Sequence, residues 1–189
     1  IPSEDSNVPW TLHLLCSHPT PPVFDGKEDR NGKRNHDEIR LVADYISPDR
    51  AGYLIDDAAG RGGLDAKEKF VILGDLNCDP VDGAGIRGAM DQLLKHPRVN
   101  SDFTPASKGG PLTVKKFAEQ NADNRGDPNH VTSNFTHEGH GNLRIDYALP
   151  SRNLKIADSG VFWPTPDEPG ADAIEVTDHR LVWIDIETE

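Results

Sequence analysis

From Trp10 to Ser17 apolar and polar positions alternate. Trp10, Leu12, Leu14 and Cys16 share one side of an extended chain, and this predicts a strand. A Pro-rich, charged loop runs from His18 to Lys33. Beyond it Ile39, Val42, Ala43 and Ile46 recur at i, i+3, i+4 and i+7, the apolar stripe of a helix. Asn35 is placed to cap that helix, Glu38 stands three residues on as in a capping box, and Pro48 stops it. A loop with Gly60, Gly62 and Gly63 leads to the apolar run Phe70–Leu73, a buried strand. Strand, helix, strand in this order predicts a right-handed crossover between neighbouring parallel strands.

Downstream, Ile86, Ala89, Met90, Leu93 and Leu94 form a second helical stripe that ends before Pro97. Residues 98–142 carry the least pattern and read as long loops around one short helix near Val114–Gln120. Two more strands are predicted at Leu143–Leu149 and Arg180–Ile186, with Pro- and Asp-rich turns at 164–172 between them. Strands 70–73 and 181–186 are apolar on both faces, as strands covered on two sides are. No repeat or internal linker divides residues 1–189, which read as a single domain.

Hydrophobic residues make up 35% of the chain, and Gly (17) and Pro (15) are plentiful, which favours a loop-rich α/β or α+β domain. No apolar stretch approaches the roughly 20 residues needed to cross a bilayer. The formal net charge of −12 repels polyanions and weighs against a sequence-reading nucleic-acid binder. It weighs less against an enzyme that holds metal, because carboxylate ligands add to the acidity. Two cysteines, Cys16 and Cys78, make no disulfide framework and read as buried free thiols at strand ends. The chain opens on Ile1 and its one methionine is Met90, so the expectation is a fragment or a chain whose leader was removed.

Four short segments carry candidate chemistry. Gly74-Asp75-Leu76-Asn77 follows a buried strand and puts Asp75 and Asn77 on one side, over the sheet edge where α/β active sites collect. Oxygen donors of this kind suit a hard cation, although Asp and Asn also form ordinary turns. Thr177-Asp178-His179 offers a metal ligand and a general base on one segment, or a polar loop with a chance imidazole. Asp146, inside Arg144-Ile145-Asp146-Tyr147, needs a partner in a strand: either an imidazole held in one tautomer or the neighbouring Arg144. His18, at the end of the first strand, reaches the same rim if that strand lies beside the one bearing Asp75. His13, in mid-strand, reads as structural.

Taken in order, a strand-end His, a G-D-x-N, an I-D-Y and a near-terminal T-D-H resemble the endonuclease/exonuclease/phosphatase superfamily. The run from His18 to Asn35 looks like a bacterial, often exported subgroup of it. The resemblance implies part of a four-layer α/β/β/α sandwich of the DNase-I-like kind, an α/β fold with a central mixed sheet and flanking helices. It implies a metal-dependent phosphoesterase in which Asp75 and Asn77 position water and phosphate. His179 would be the general base or a phosphate-contacting imidazole, Asp146 its orienting carboxylate, and His18 a contact to the phosphoryl oxygen that also helps the leaving group. Asp75, Asn77 and Asp178 would attend the metal, Mg²⁺ or Mn²⁺, with Ca²⁺ as a further candidate. The substrate would be a phosphoester: a small molecule, a lipid head group or nucleic acid.

Thr177 stands where the family more often has Ser. The family's early Asn and Glu have no counterpart before His18, so residues 1–189 read as a domain lacking its N-terminal half and inactive alone. One sheet face would then be bare unless a second copy of the chain, the missing half or its own long loops at 98–142 cover it. The rival reading is a catalytically degenerate binding or scaffolding module. A serine esterase with Asp and His on one segment fits poorly, because Asp178 and His179 adjoin and no Ser follows Gly74-Asp75. Exported, periplasmic or secreted, is the localisation the resemblance favours.

Overall fold

A computed structural model of the chain describes residues 11–187. Strand β1 (Leu12–Cys16) pairs in parallel with β2 (Lys69–Asp75), and β2 pairs antiparallel with β3 (Asp146–Pro150). The result is a mixed sheet in the order β1-β2-β3. The predicted parallel neighbours are therefore adjacent, joined through helix α1 (Arg30–Tyr45). Trp10 lies outside the described residues.

Helix α1 lays Ile39, Ala43 and Ile46 into the core as its stripe predicts, against Phe70, Ile72, Tyr147 and Leu149 from one face of the sheet. Its start differs from the sequence reading. Asp29, in the left-handed region at φ 50°, occupies the N-cap, and Asn35 sits more than a turn inside the helix. The exposed first-turn N–H of Asn31 is satisfied from outside by the Asp25 carboxylate at 2.5 Å, so a loop contact sets the boundary. Arg30 and Lys33 thus belong to the helix rather than to the loop that begins at His18. The second stripe shrinks to α2 (Asp91–Leu94), because Gly88 takes φ 84° and breaks the preceding turn. Ala89, Met90 and Leu93 still reach the core. In the patternless region α3 spans Gly109–Lys116, several residues earlier than predicted.

The strand at Ile156–Val161 (β4) escaped the sequence reading, since Asp158, Ser159 and Gly160 interrupt its apolar pattern. It pairs antiparallel with β5 (Val182–Ile186) as a second, two-stranded sheet. Ile156, Val182, Ile184 and Ile186 pack on Val71, Leu73 and Ala148, the other face of the mixed sheet. That face is therefore covered from within the chain, by β4 and β5 rather than by the loops at 98–142 or a second copy. Val114 of α3 packs with Val161 and Trp163 at the end of β4. Cys78 is buried and free, whereas Cys16 is exposed rather than buried. Among the described residues, no helix is long and apolar enough to cross a membrane.

Candidate active site

The parallel pairing of β1 and β2 brings their carboxyl ends to one rim. Ser17 N–H continues the ladder to Leu73 O at 2.9 Å, and the chain then passes over Gly74. Gly74 has φ 141°, and a Cβ there would overlap the Ser17 carbonyl oxygen. Only glycine gives both that conformation and that approach. The close passage sets His18 beside Asp75, with Nε2 3.4 Å from Oδ2.

Across the β2–β3 ladder Asp75 is the register partner of Asp146, so the two carboxylates face each other. The second sheet supplies the third element. His179, two residues before Leu181 and ahead of β5, bridges to Ser133 and donates Nδ1–H to Asp146 Oδ1 at 3.0 Å. An ionised carboxylate only accepts, so this bond holds the proton on Nδ1. Nε2 is left facing the rim, 3.9 Å from Asp75 Oδ2 and 4.0 Å from Asp178 Oδ1. The Phe135 ring packs edge-on against the imidazole, with centroids 5.6 Å apart. The alternative partner for Asp146 is not used: Arg144 stacks over the Tyr147 ring instead.

Burial pushes the Asp75 carboxyl above the usual range; the N–H of Asn77 opposes this, Asp146 adds to it, and His179 and His18 oppose it. For His179 the hydrogen bond to Asp146 raises the pKa, burial opposes, and the charges of Asp146, Asp75 and Asp178 reinforce the rise. Both shifts favour the protonated form of the group concerned.

Asp75, Asp146 and His179 offer donor atoms within 4.8 Å of one another, a set that could hold a metal ion. The chemistry fits a divalent cation. Two carboxylates stand at facing positions, and within the described residues their ion-pair partners are histidines rather than Lys or Arg. Asp178 lies outside this group, its side chain half exposed (51%). Asn77, at φ 51°, donates its backbone N–H to Asp75 Oδ1 and its side-chain amide to the Pro19 carbonyl at 3.0 Å. It therefore ties the two loops of the rim together. His13 pairs with Glu68 at 3.2 Å, as a structural histidine does.

Two contributors had no signal in the sequence. Thr132 donates its hydroxyl to Asp146 Oδ2 at 2.8 Å and accepts the N–H groups of Ile145 and Asp146. Arg180, buried against the Trp163 ring, donates to the carbonyls of Thr177 and His179 and pins the segment that bears the imidazole. Beside the rim, a cleft of about 620 Å³ runs between Lys116, Phe117, His137, Val176 and Asp178. Thr132 and part of this cleft, including Phe117 and His137, come from the stretch with no readable periodicity.

Residues 4–179 match the model of the Endonuclease/Exonuclease/phosphatase family. No curated protein and no solved structure matches the chain. The mixed sheet with flanking helices agrees with the fold of that family, and the match extends over nearly the whole sequence. With its strand-end carboxylates and its Asp–His pair on one rim, the chain belongs to the Endonuclease/Exonuclease/phosphatase family.

Proposed function

We propose that this protein hydrolyses phosphoesters with the help of a divalent cation, Mg²⁺ or Mn²⁺, and that His179 is its general base. The observation that carries this reading is the 3.0 Å bond from His179 Nδ1 to Asp146, which leaves Nε2 turned to the rim beside Asp75. A base must be within reach of the proton it takes and held in the right tautomer. Asp146 does the holding, and Thr132 in turn holds Asp146.

In this reading Nε2 of His179 takes a proton from the attacking water. His18, largely exposed at the mouth of the rim, hydrogen-bonds a phosphoryl oxygen. Asp75, with Asp178 on the outer side, would hold the cation, and Asn77 keeps the His18 loop beside Asp75. The cation supplies neutralisation of the charge that grows on the phosphoryl and leaving oxygens. The cleft along Phe117, His137 and Val176 receives the part of the substrate that does not react.

The test is an assay of the purified protein against p-nitrophenyl phosphate, bis-p-nitrophenyl phosphate, plasmid DNA and sphingomyelin. Each is run with Mg²⁺, with Mn²⁺ and with excess EDTA. Turnover of at least one substrate that EDTA abolishes and Mn²⁺ restores is the expected result. Turnover indifferent to EDTA defeats the proposal; none on any phosphoester defeats it for residues 1–189 and favours the opposing expectation, that they are inactive without the family's early Asn and Glu.

A further inference from the structure

Asn35 is fully buried in α1, yet it carries a primary amide. Its Nδ2 donates to the Thr20 carbonyl at 3.0 Å and to the Leu76 carbonyl at 2.9 Å. Both neighbours are acceptors, so the amide orientation is settled by chemistry, and Oδ1 is left buried without a partner. Leaving such an atom unmatched is costly in a protein interior. An apolar residue would pack this helix position without that cost. One turn further on, Glu38 accepts Thr20 N–H at 2.6 Å and the Thr20 hydroxyl at 3.2 Å.

These bonds converge on two short segments. One is His18-Pro19-Thr20, the other Asp75-Leu76-Asn77, and the Asn77 amide already joins them at Pro19. Asn35 spans both from beneath, through one carbonyl of each. His18 itself has a largely exposed side chain (73%), so little packing holds its imidazole 3.4 Å from Asp75. Its position is inherited from its backbone.

We infer that Asn35 and Glu38 are positioning residues that hold the His18 loop in register with the Asp75–Asn77 turn. The inference rests on the phosphoesterase reading for its kinetic consequence, while its geometric consequence stands alone. A misplacement of about 1 Å at a reacting group can cost on the order of 100-fold in rate. The variants are Asn35→Leu, which keeps the branching at Cγ and removes the donors, and Glu38→Ala, at a half-exposed site that leaves the core intact. Ser47→Ala is the control: it removes another buried hydrogen-bonding group of the same region, bonded to Ala43 and His96 and far from the loops.

With whichever phosphoester the protein turns over, Asn35→Leu should lower kcat by about 10-fold or more and leave KM within about twofold. Glu38→Ala should do the same to a smaller extent, and Ser47→Ala should leave kcat alone. Combined with His18→Ala, either loop variant should add far less than its separate effect, since residues that act through one another are not additive. An unchanged kcat in folded Asn35→Leu, or full additivity with His18→Ala, overturns the inference. If Asn35→Leu does not fold, Glu38→Ala alone decides by the same two criteria. If the wild type hydrolyses no phosphoester, the proposed function fails, and crystal structures of the wild type and Glu38→Ala read the clamp directly. A His18–Asp75 separation that lengthens in the variant supports it; an unchanged separation overturns it.

Discussion

Asp75 and Asp146 face each other across the β2–β3 ladder, and His179 reaches both, at 3.9 Å and 3.0 Å. Two carboxylates at directly opposed positions repel unless something positive comes between. Here an imidazole does so, and a cation would do so further. Burial above all, with the facing Asp146 adding to it, makes Asp75 resist ionisation, while the hydrogen bond to Asp146 makes His179 hold its proton more tightly.

Replacing His179 with Ala removes the proposed base. It should lower kcat by roughly 100-fold or more. A half-exposed rim histidine supports little of the core, so the midpoint of urea unfolding should move little. Unchanged turnover by folded protein takes His179 out of the mechanism.

The Asp146→Asn variant separates orientation from charge. The carboxylate raises the His179 pKa above its ordinary value near 6.5, so a base that must be neutral is lost earlier as pH falls. With Asn at 146 the acid limb of the pH–rate profile should move to lower pH, while kcat falls because the tautomer is no longer fixed. The profile over pH 5–9 is the measurement. An acid limb that stays in place means that another group controls it.

The same raised pKa bears on stability. A proton held more tightly by folded His179 than by the unfolded chain stabilises the fold below the unfolded pKa. That contribution is lost as pH rises through the folded value. Urea unfolding of the wild type and His179→Gln in EDTA should show the wild-type advantage at pH 5.5 shrinking by pH 8.5. A constant difference contradicts the sign.

Asp75→Asn should trade function for stability. Burial disfavours the ionised Asp75, so the cost to the fold is absent at low pH and appears as pH rises through the carboxylate's range. In EDTA the variant should melt higher than the wild type at pH 7.5, with a smaller gap near pH 4. Added Mn²⁺ should raise the wild-type melting temperature by mass action and leave the variant's unchanged. With Asp146 engaged by His179, Asp75 and the outlying Asp178 supply few of the roughly six ligands a hard cation takes, so the Mn²⁺ shift should need millimolar concentrations. An equal Mn²⁺ shift in both proteins removes Asp75 from the metal site.

Gly74→Ala should damage both fold and site. The added Cβ meets the Ser17 carbonyl in a backbone region that alanine disfavours, so the cost should exceed about 1 kcal/mol. Ser17 precedes His18, and relief of the clash must move that histidine. A loss of activity in folded protein, larger than the stability change accounts for, is the expected result. Full stability at this site would show that the strands part without consequence.

Much of the site was legible because its carboxylates sit on regular elements. The apolar run Phe70–Leu73 placed Asp75 at a strand end, and alternation about Ile145 and Tyr147 marked Asp146 as a strand carboxylate in need of a partner. The stripe of α1 was read correctly, but its cap was not. Asn35 looks like a cap because cap and buried clamp use the same amide, and only the third dimension tells them apart. The bare sheet face was inferred without β4, whose Asp158, Ser159 and Gly160 hide the strand that helps cover it.

By itself the sequence determined which segments extend or coil, which residues bear chemistry, and the order of motifs that marks the family. These properties have a period of two or 3.6 residues, or stand on one short segment, so they can be read along a line. The tertiary structure decided which of Asp146's candidate partners it took, His179 rather than Arg144. It decided too that Thr132 orients Asp146 and that Asn35 joins the loops of His18 and Asn77. Each of these is a hydrogen bond between segments brought together by packing, 41 positions apart for Asn35 and Leu76 and 33 for Asp146 and His179. No periodicity in the chain records such a pair, because its geometry is created by packing: of α1 against one face of the mixed sheet for Asn35 and Leu76, and of the segment ahead of β5 against β3 for Asp146 and His179.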